Sequence, residues 1–295
     1  MSCEVNKKNL GLSKCNKLPL LPESMITTPQ GFAIPAATIA LGADAIKTYL
    51  QDALLDVASD RIYIWPHFDT FENISEDAVY EDGPLTYTPV RDGNYRFRFG
   101  IAQSLCLHKA MYTHRAKTGR VFLIDIEGNL IGTELSNGDF AGLSIQVLNT
   151  EKLILSDGSV ATKSPVVVAL KNNRELDANG SMISIADFVG ELYRIIDVDV
   201  KVVTITDAGD IDVSVIQECD GTPVSGLVTA DFVYLNAAGA AVVITSATEN
   251  ANIPGQYKLT QAGDLFVDGT VNIKAPATLT IKAYESTGAA AVNIP

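Results

Sequence analysis

Ile195–Ile205 reads IIDVDVKVVTI, and its two-residue rhythm decides how the chain is parsed. Ile196, Val198, Val200 and Val202 fall on one side of an extended backbone; Asp197, Asp199 and Lys201 fall on the other. That is a strand with one buried face. Beyond it the texture changes. From Thr204 onward the only basic residues are Lys258, Lys274 and Lys282, against ten acidic ones, while Ala, Gly, Val and Thr take over. Strands are expected over Ile211–Gln217, Val228–Leu235, Val242–Ser246, Gln256–Thr260, Leu265–Ile273 and Thr278–Tyr284. Asp220-Gly221, Ala238-Gly239, Pro254-Gly255, Ala262-Gly263 and Gly288 supply the turns between them. Short strands at this spacing predict a small β-sandwich over 207–295, with the boundary at Asp207-Ala208-Gly209. It has neither the cysteine pair nor the strand tryptophan of an antibody domain.

Upstream, residues 37–206 read as a β-rich body carrying one or two helices, so the fold class is mainly β, α+β. The clearest helix is Asp44–Ser59, where Ile46, Tyr49, Leu50, Ala53, Leu54 and Val57 recur at helical spacing. A second is expected over Ala102–Lys117. Strands are expected at Arg61–Trp65, Leu85–Val90, Tyr95–Phe99, Val121–Ile126, Leu130–Thr133, Leu143–Leu148, Leu153–Leu155 and Val166–Leu170. Tyr95, Phe97 and Phe99 form a core stripe. Residues 1–36 read as an extended arm: Pro19, Pro22, Pro29 and Pro35 break every periodicity. Yet Leu18, Leu20, Leu21, Met25, Ile26 and Phe32 are too apolar for a solvated tail. Such an arm is expected to lie on the body or on a neighbouring subunit.

The bulk numbers exclude several classes. At 295 residues, 47% hydrophobic and 19% charged, the chain is a folded protein with room for two domains. A net charge of −13 repels a phosphate backbone, so nucleic acid is not the expected main ligand. No apolar stretch is long enough for a membrane helix, and no apolar segment follows Lys7 and Lys8 as a secretory signal requires. Cys3, Cys15, Cys106 and Cys219 are scattered and are expected to be reduced thiols. Phosphate-loop, zinc-protease, nucleophile-elbow and dinucleotide motifs are all missing.

The remaining chemistry is thin. His67 and Asp69 alternate in W-P-H-F-D and read as a loop histidine beside a carboxylate. His108 and His114 lie on nearly opposite faces of a helix and share no metal there. Asp197 and Asp199, roughly 7 Å apart by two strand rises, have Lys201 beside them and read as a solvated face. Asp207, Asp210 and Asp212 lack the dense ligand ladder of a calcium loop. No catalytic residue, cofactor or metal is expected. Arg91, Arg96 and Arg98 head the one concentrated basic region. Either it is a solvated face, or it meets the acidic loop carrying Glu72, Glu76 and Asp77 of a neighbour, as in a head-to-tail ring contact.

The order of parts (apolar arm, β-rich body with a helix, low-charge sandwich) resembles the tail tube proteins of tailed bacteriophages. Within the sandwich, Gly221-Thr222-Pro223-Val224-Ser225-Gly226 and Pro254-Gly255-Gln256-Tyr257-Lys258-Leu259-Thr260 look like bacterial and phage immunoglobulin-like repeats. The resemblance implies a non-enzymatic virion protein, made in the host cytoplasm, that self-assembles into rings, hexameric in that family. Its arm and long loops would bridge subunits, and its immunoglobulin-like domain would face outward, where glycan contact is open to it. Other virion proteins would be partners, and DNA at most would pass through a lumen. Head decoration, neck and tail-ring proteins share such folds. A bacterial surface or adhesive protein and a carbohydrate-active enzyme with an immunoglobulin-like accessory domain are the readings from other classes.

Overall fold

Alternate side chains of the strand Arg120–Asp125 enter two different cores, and this explains the layering of the first half of the molecule. The computed structural model describes residues 21–56, 59–82, 87–91, 93–102, 104–159, 161–185, 192, 195–207, 209–261, 266–279 and 284–294. The chain is mainly β with short helices, and it divides into two units, Met1–Leu192 and Tyr193–Pro295.

In the first unit the strands are β1 (Pro22–Thr28), β2 (Ala33–Ile34), β3 (Tyr63–Ile64), β4 (Thr70–Asn73), β5 (Val79–Asp82), β6 (Tyr87–Arg91), β7 (Arg96–Ile101), β8 (Arg120–Asp125), β9 (Asn129–Glu134), β10 (Phe140–Ala141), β11 (Leu143–Thr150), β12 (Ser164–Leu170) and β13 (Gly180–Ser184). The helices are α1 (Ala36–Leu41), α2 (Ala43–Leu54), α3 (Leu105–Thr113) and α4 (Arg174–Asp177). Eleven strands form one sheet, ordered β2-β10-β9-β8-β11-β12-β7-β4, with β1 on β8 and β3, and β13 on β9. Val121 and Leu123 of β8 join a core with Phe97, Phe99, Val166 and Val168. Phe122 and Ile124 join another, which α2 closes with Ile46, Leu50 and Leu54. A strand buried on both faces reads as a continuous apolar run, and V-F-L-I does.

The expectation that all of 1–36 is an arm is corrected. Pro22–Thr28 is a full strand of the sheet, registered on β8 from Pro22↔Asp125 to Thr28↔Arg120. Met25 and Ile26 are wholly buried in the two cores. The prolines bracket the strand instead of breaking it: Pro22 opens it and Pro29 follows it, the positions where a missing N–H is tolerated. The helix expected over Asp44–Ser59 is α2, which ends at Leu54, and Gly42, at φ 99°, separates it from a short helix, α1, that was not expected. Leu153–Leu155 is only a bridge at Ile154↔Lys163.

The second unit holds β14 (Ile196–Asp207), β15 (Asp210–Gln217), β16 (Phe232–Asn236), β17 (Ala241–Val242), β18 (Ser246–Glu249), β19 (Gln256–Thr260), β20 (Gly269–Ile273), β21 (Tyr284–Ser286) and β22 (Ala290–Val292). One sheet runs β18-β19-β15-β14-β21, the other β17-β16-β20-β22. Val198, Val213, Tyr257 and Leu259 from the first meet Phe232, Tyr234, Val271 and Ile273 from the second in a single core. This is a β-sandwich. The boundary expected at 207 is corrected: β14 is a sandwich strand, paired with β15 and β21, so the sandwich begins before it. Asp207↔Asp210 is the turn end of the β14–β15 hairpin, not a linker.

Candidate functional site

The basic and acidic stretches that were candidates for a contact between subunits meet within the chain. β4 lies antiparallel to β7 with Glu72 opposite Arg98. Arg98 pairs with Glu72 at 3.7 Å and Glu151 at 2.8 Å, and Arg96 pairs with Glu76 at 3.0 Å. Half-exposed pairs of this kind contribute about 1 kcal/mol or less each. Their consequence is that these charges are neutralised at home, which removes the head-to-tail charge argument for them. Asp77 is exposed. Of the apolar candidates, Leu21 is exposed, Met25 and Ile26 are core residues, and Phe32 packs on Tyr49 and Phe122 at 5.6 and 6.4 Å between ring centres. Leu18, Leu20 and the Arg91 side chain lie outside the described residues.

The described surface does contain an element without a sheet to join. β5 and β6 pair only with each other, Val79↔Arg91 to Asp82↔Tyr87. Backbone bonds from Ile74 N to Arg96 O and Glu76 N to Asn94 O extend the β4–β7 pairing up to the ribbon's base. Val79 and Tyr80 remain 45% and 46% exposed. The described part of the strand expected at Leu85–Val90 belongs to β6, whereas its partner β5 lies in an acid-rich stretch that reads as loop.

The histidines separate as follows. His67 pairs with Glu23 at 3.2 Å, not with Asp69. The Nδ1 of His108 lies 2.9 Å from Ser164 Oγ, but Ser164 is buried, so the pair offers no accessible nucleophile. His114 stands in a cavity of about 270 Å³ lined by residues of β1, β3 and β11 and by the segment around α3's end, among them Arg61, Tyr63, Lys117 and Thr118. Tyr63 meets the His114 ring edge-on at 4.4 Å, and Trp65 lies 6.0 Å away. Lys117 Nζ donates to His114 Nδ1 at 3.3 Å and sits 5.1 Å over the Tyr63 ring. Burial, then the Lys117 ammonium, push the His114 imidazole down to about 4, and burial lowers Lys117. Arg61 is buried, its Nε donating to Asp56 O at 3.0 Å. No sequence motif marks this cavity, whose cations come from stretches more than 50 residues apart.

Asp199 is held by Lys201 at 2.9 Å and Asp210 by Lys258 at 2.7 Å. Among the described residues no group of three His, Cys, Asp or Glu is placed to hold a metal, and no helix is long and apolar enough to cross a membrane. The reduced-thiol expectation is corrected for two cysteines: Cys106 and Cys219 are disulfide-bonded. Compared with protein-family models and with curated proteins, the sequence matches none.

Proposed function

We propose that this chain is a structural subunit of a tailed-phage virion, assembling with copies of itself into rings or a tail tube and carrying its immunoglobulin-like sandwich outward. The observation that carries the reading is the β5–β6 ribbon. A two-stranded ribbon alone is marginal in water, and this one keeps Val79 and Tyr80 half in solvent. Seating it on a second copy buries those exposed side chains. Apolar Leu21, 56% exposed beside the sheet, adds to the same kind of surface. The −13 charge suits a body past which DNA slides without sticking.

The test is negative-stain microscopy of the full-length chain with its solution mass measured alongside. Rings or tubes are expected, and Tyr80→Glu, at an exposed site that leaves the cores intact, is expected to reduce them to monomer. A wild-type chain that stays a compact monomer at high concentration sinks the assembly reading. A second reading, a bacterial surface module, is favoured by the bonded Cys106 and Cys219, since disulfides persist in oxidising compartments. It expects a monomer whose stability falls sharply on reduction.

A further inference from the structure

We propose that the cavity around Arg61, Tyr63, His114 and Lys117 is a binding site for a compact phosphate-bearing ligand, inorganic phosphate or a small phosphomonoester. The inference is independent of assembly and rests on what lines the space. Arg61 and Lys117 bring two fixed positive charges to it, Ser59 and Thr118 bring hydroxyls, and no Asp or Glu is among the described residues that line it. Guanidinium, ammonium and hydroxyl donors converging on one space match the several acceptor oxygens of a phosphate better than the two of a carboxylate.

Each cation is held in place. Arg61 is nine-tenths buried and oriented by its bond to Asp56 O. Lys117 is held against His114 Nδ1 at 3.3 Å and over the Tyr63 ring at 5.1 Å. The far wall is apolar, Ile145 and Leu148, and Tyr63 supplies a ring face. A volume of about 270 Å³ lies at the small end of ligand cavities, which limits the body behind the phosphate to about one ring. His114 is the built-in reporter. It faces Lys117, Tyr63 and Trp65, with Arg61 in the same lining. Burial and, after it, the Lys117 charge hold its proton off; a bound phosphate offsets that charge and favours the imidazolium.

The experiment follows the His114 ring by NMR in the full chain, assigned against single substitutions of His67 and His108, during titration with inorganic phosphate, phenyl phosphate, acetate and sodium chloride at matched ionic strength. Saturable shifts with either phosphate are expected, raising the His114 midpoint by about 1 unit or more. They should vanish in Lys117→Gln and survive in Lys117→Arg. Equal shifts with chloride, stronger binding of acetate, no response to either phosphate, or an unchanged response in Lys117→Gln would each overturn the proposal.

Discussion

Ala116 holds φ at 60°, the one non-glycine in the left-handed region among the described residues, and its N–H donates to Leu148 O at 2.8 Å. An L side chain there costs roughly 1–2 kcal/mol, and glycine gives back part of that through its freer unfolded chain. Ala116→Gly should therefore raise the unfolding free energy of its unit by about 0.5–1 kcal/mol in denaturant titration; a loss would contradict the strain. His114 acts on stability through protons. Its folded value, about 4, lies below the ordinary 6.5, so between those values the unfolded chain binds more protons. Its contribution is full above about 6.5 and is lost as pH falls toward 4. His114→Asn should flatten that part of the stability–pH curve. Neither residue was legible in the sequence. A single alanine at positive φ leaves no compositional trace, and the helical neighbours of His114 offer it no ligand partner. Its actual surroundings come from β3 and the end of α3.

Elements were legible where one strand sets its own pattern and obscure where pairing sets it. Gln256–Thr260 was read to the residue, because turn chemistry at Pro254-Gly255 and alternation of Tyr257 and Leu259 fix it locally. Its motif also has a mechanical reason. Buried Tyr257 donates its hydroxyl to Val224 O at 2.7 Å and accepts from Leu227 N at 3.2 Å, tying the Gly221–Gly226 loop to β19. Gly255, at φ 75°, lets the backbone pass within reach of Val215 O, where a Cβ would approach to 2.8 Å. Tyr257→Phe leaves two buried backbone groups short of a partner, and a cost of about 1–3 kcal/mol is expected in the sandwich's unfolding curve; a neutral result would show that the tie is not needed. β1 was missed for the opposite reason. The six residues between Pro22 and Pro29 carry no strand signal until β8 is beside them.

For the whole molecule, fold class followed from pattern, whereas the division into units needed the topology. The shift in composition at Thr206 is real, but it falls one strand late. β14 gives the sandwich core Val198 and Val200, both buried, each worth about 1.5–3 kcal/mol on burial. Set against the 5–15 kcal/mol that holds a typical domain, a sandwich without β14 is close to unfolding. Residues 193–295 expressed alone should give dispersed amide resonances, and residues 207–295 should not. Dispersed spectra from both would place the boundary back at 207.

β21 runs parallel to β14, through Ile196↔Tyr284, Asp197↔Glu285 and Val198↔Ser286, with Thr287 N bonded on to Val198 O. Two strands pointing the same way, tugged from opposite ends, part only by sliding, so their bonds carry the load together. The hairpin β18–β19, tugged at Ser246 and Thr260, opens instead like a zip, one bond after another. Single-molecule stretching across Ile195 and Thr287 should accordingly meet a higher rupture force than stretching across Ser246 and Thr260. Across Ile195 and Thr287 the sandwich therefore resists a pull with several bonds at once, like a clasp in a rope.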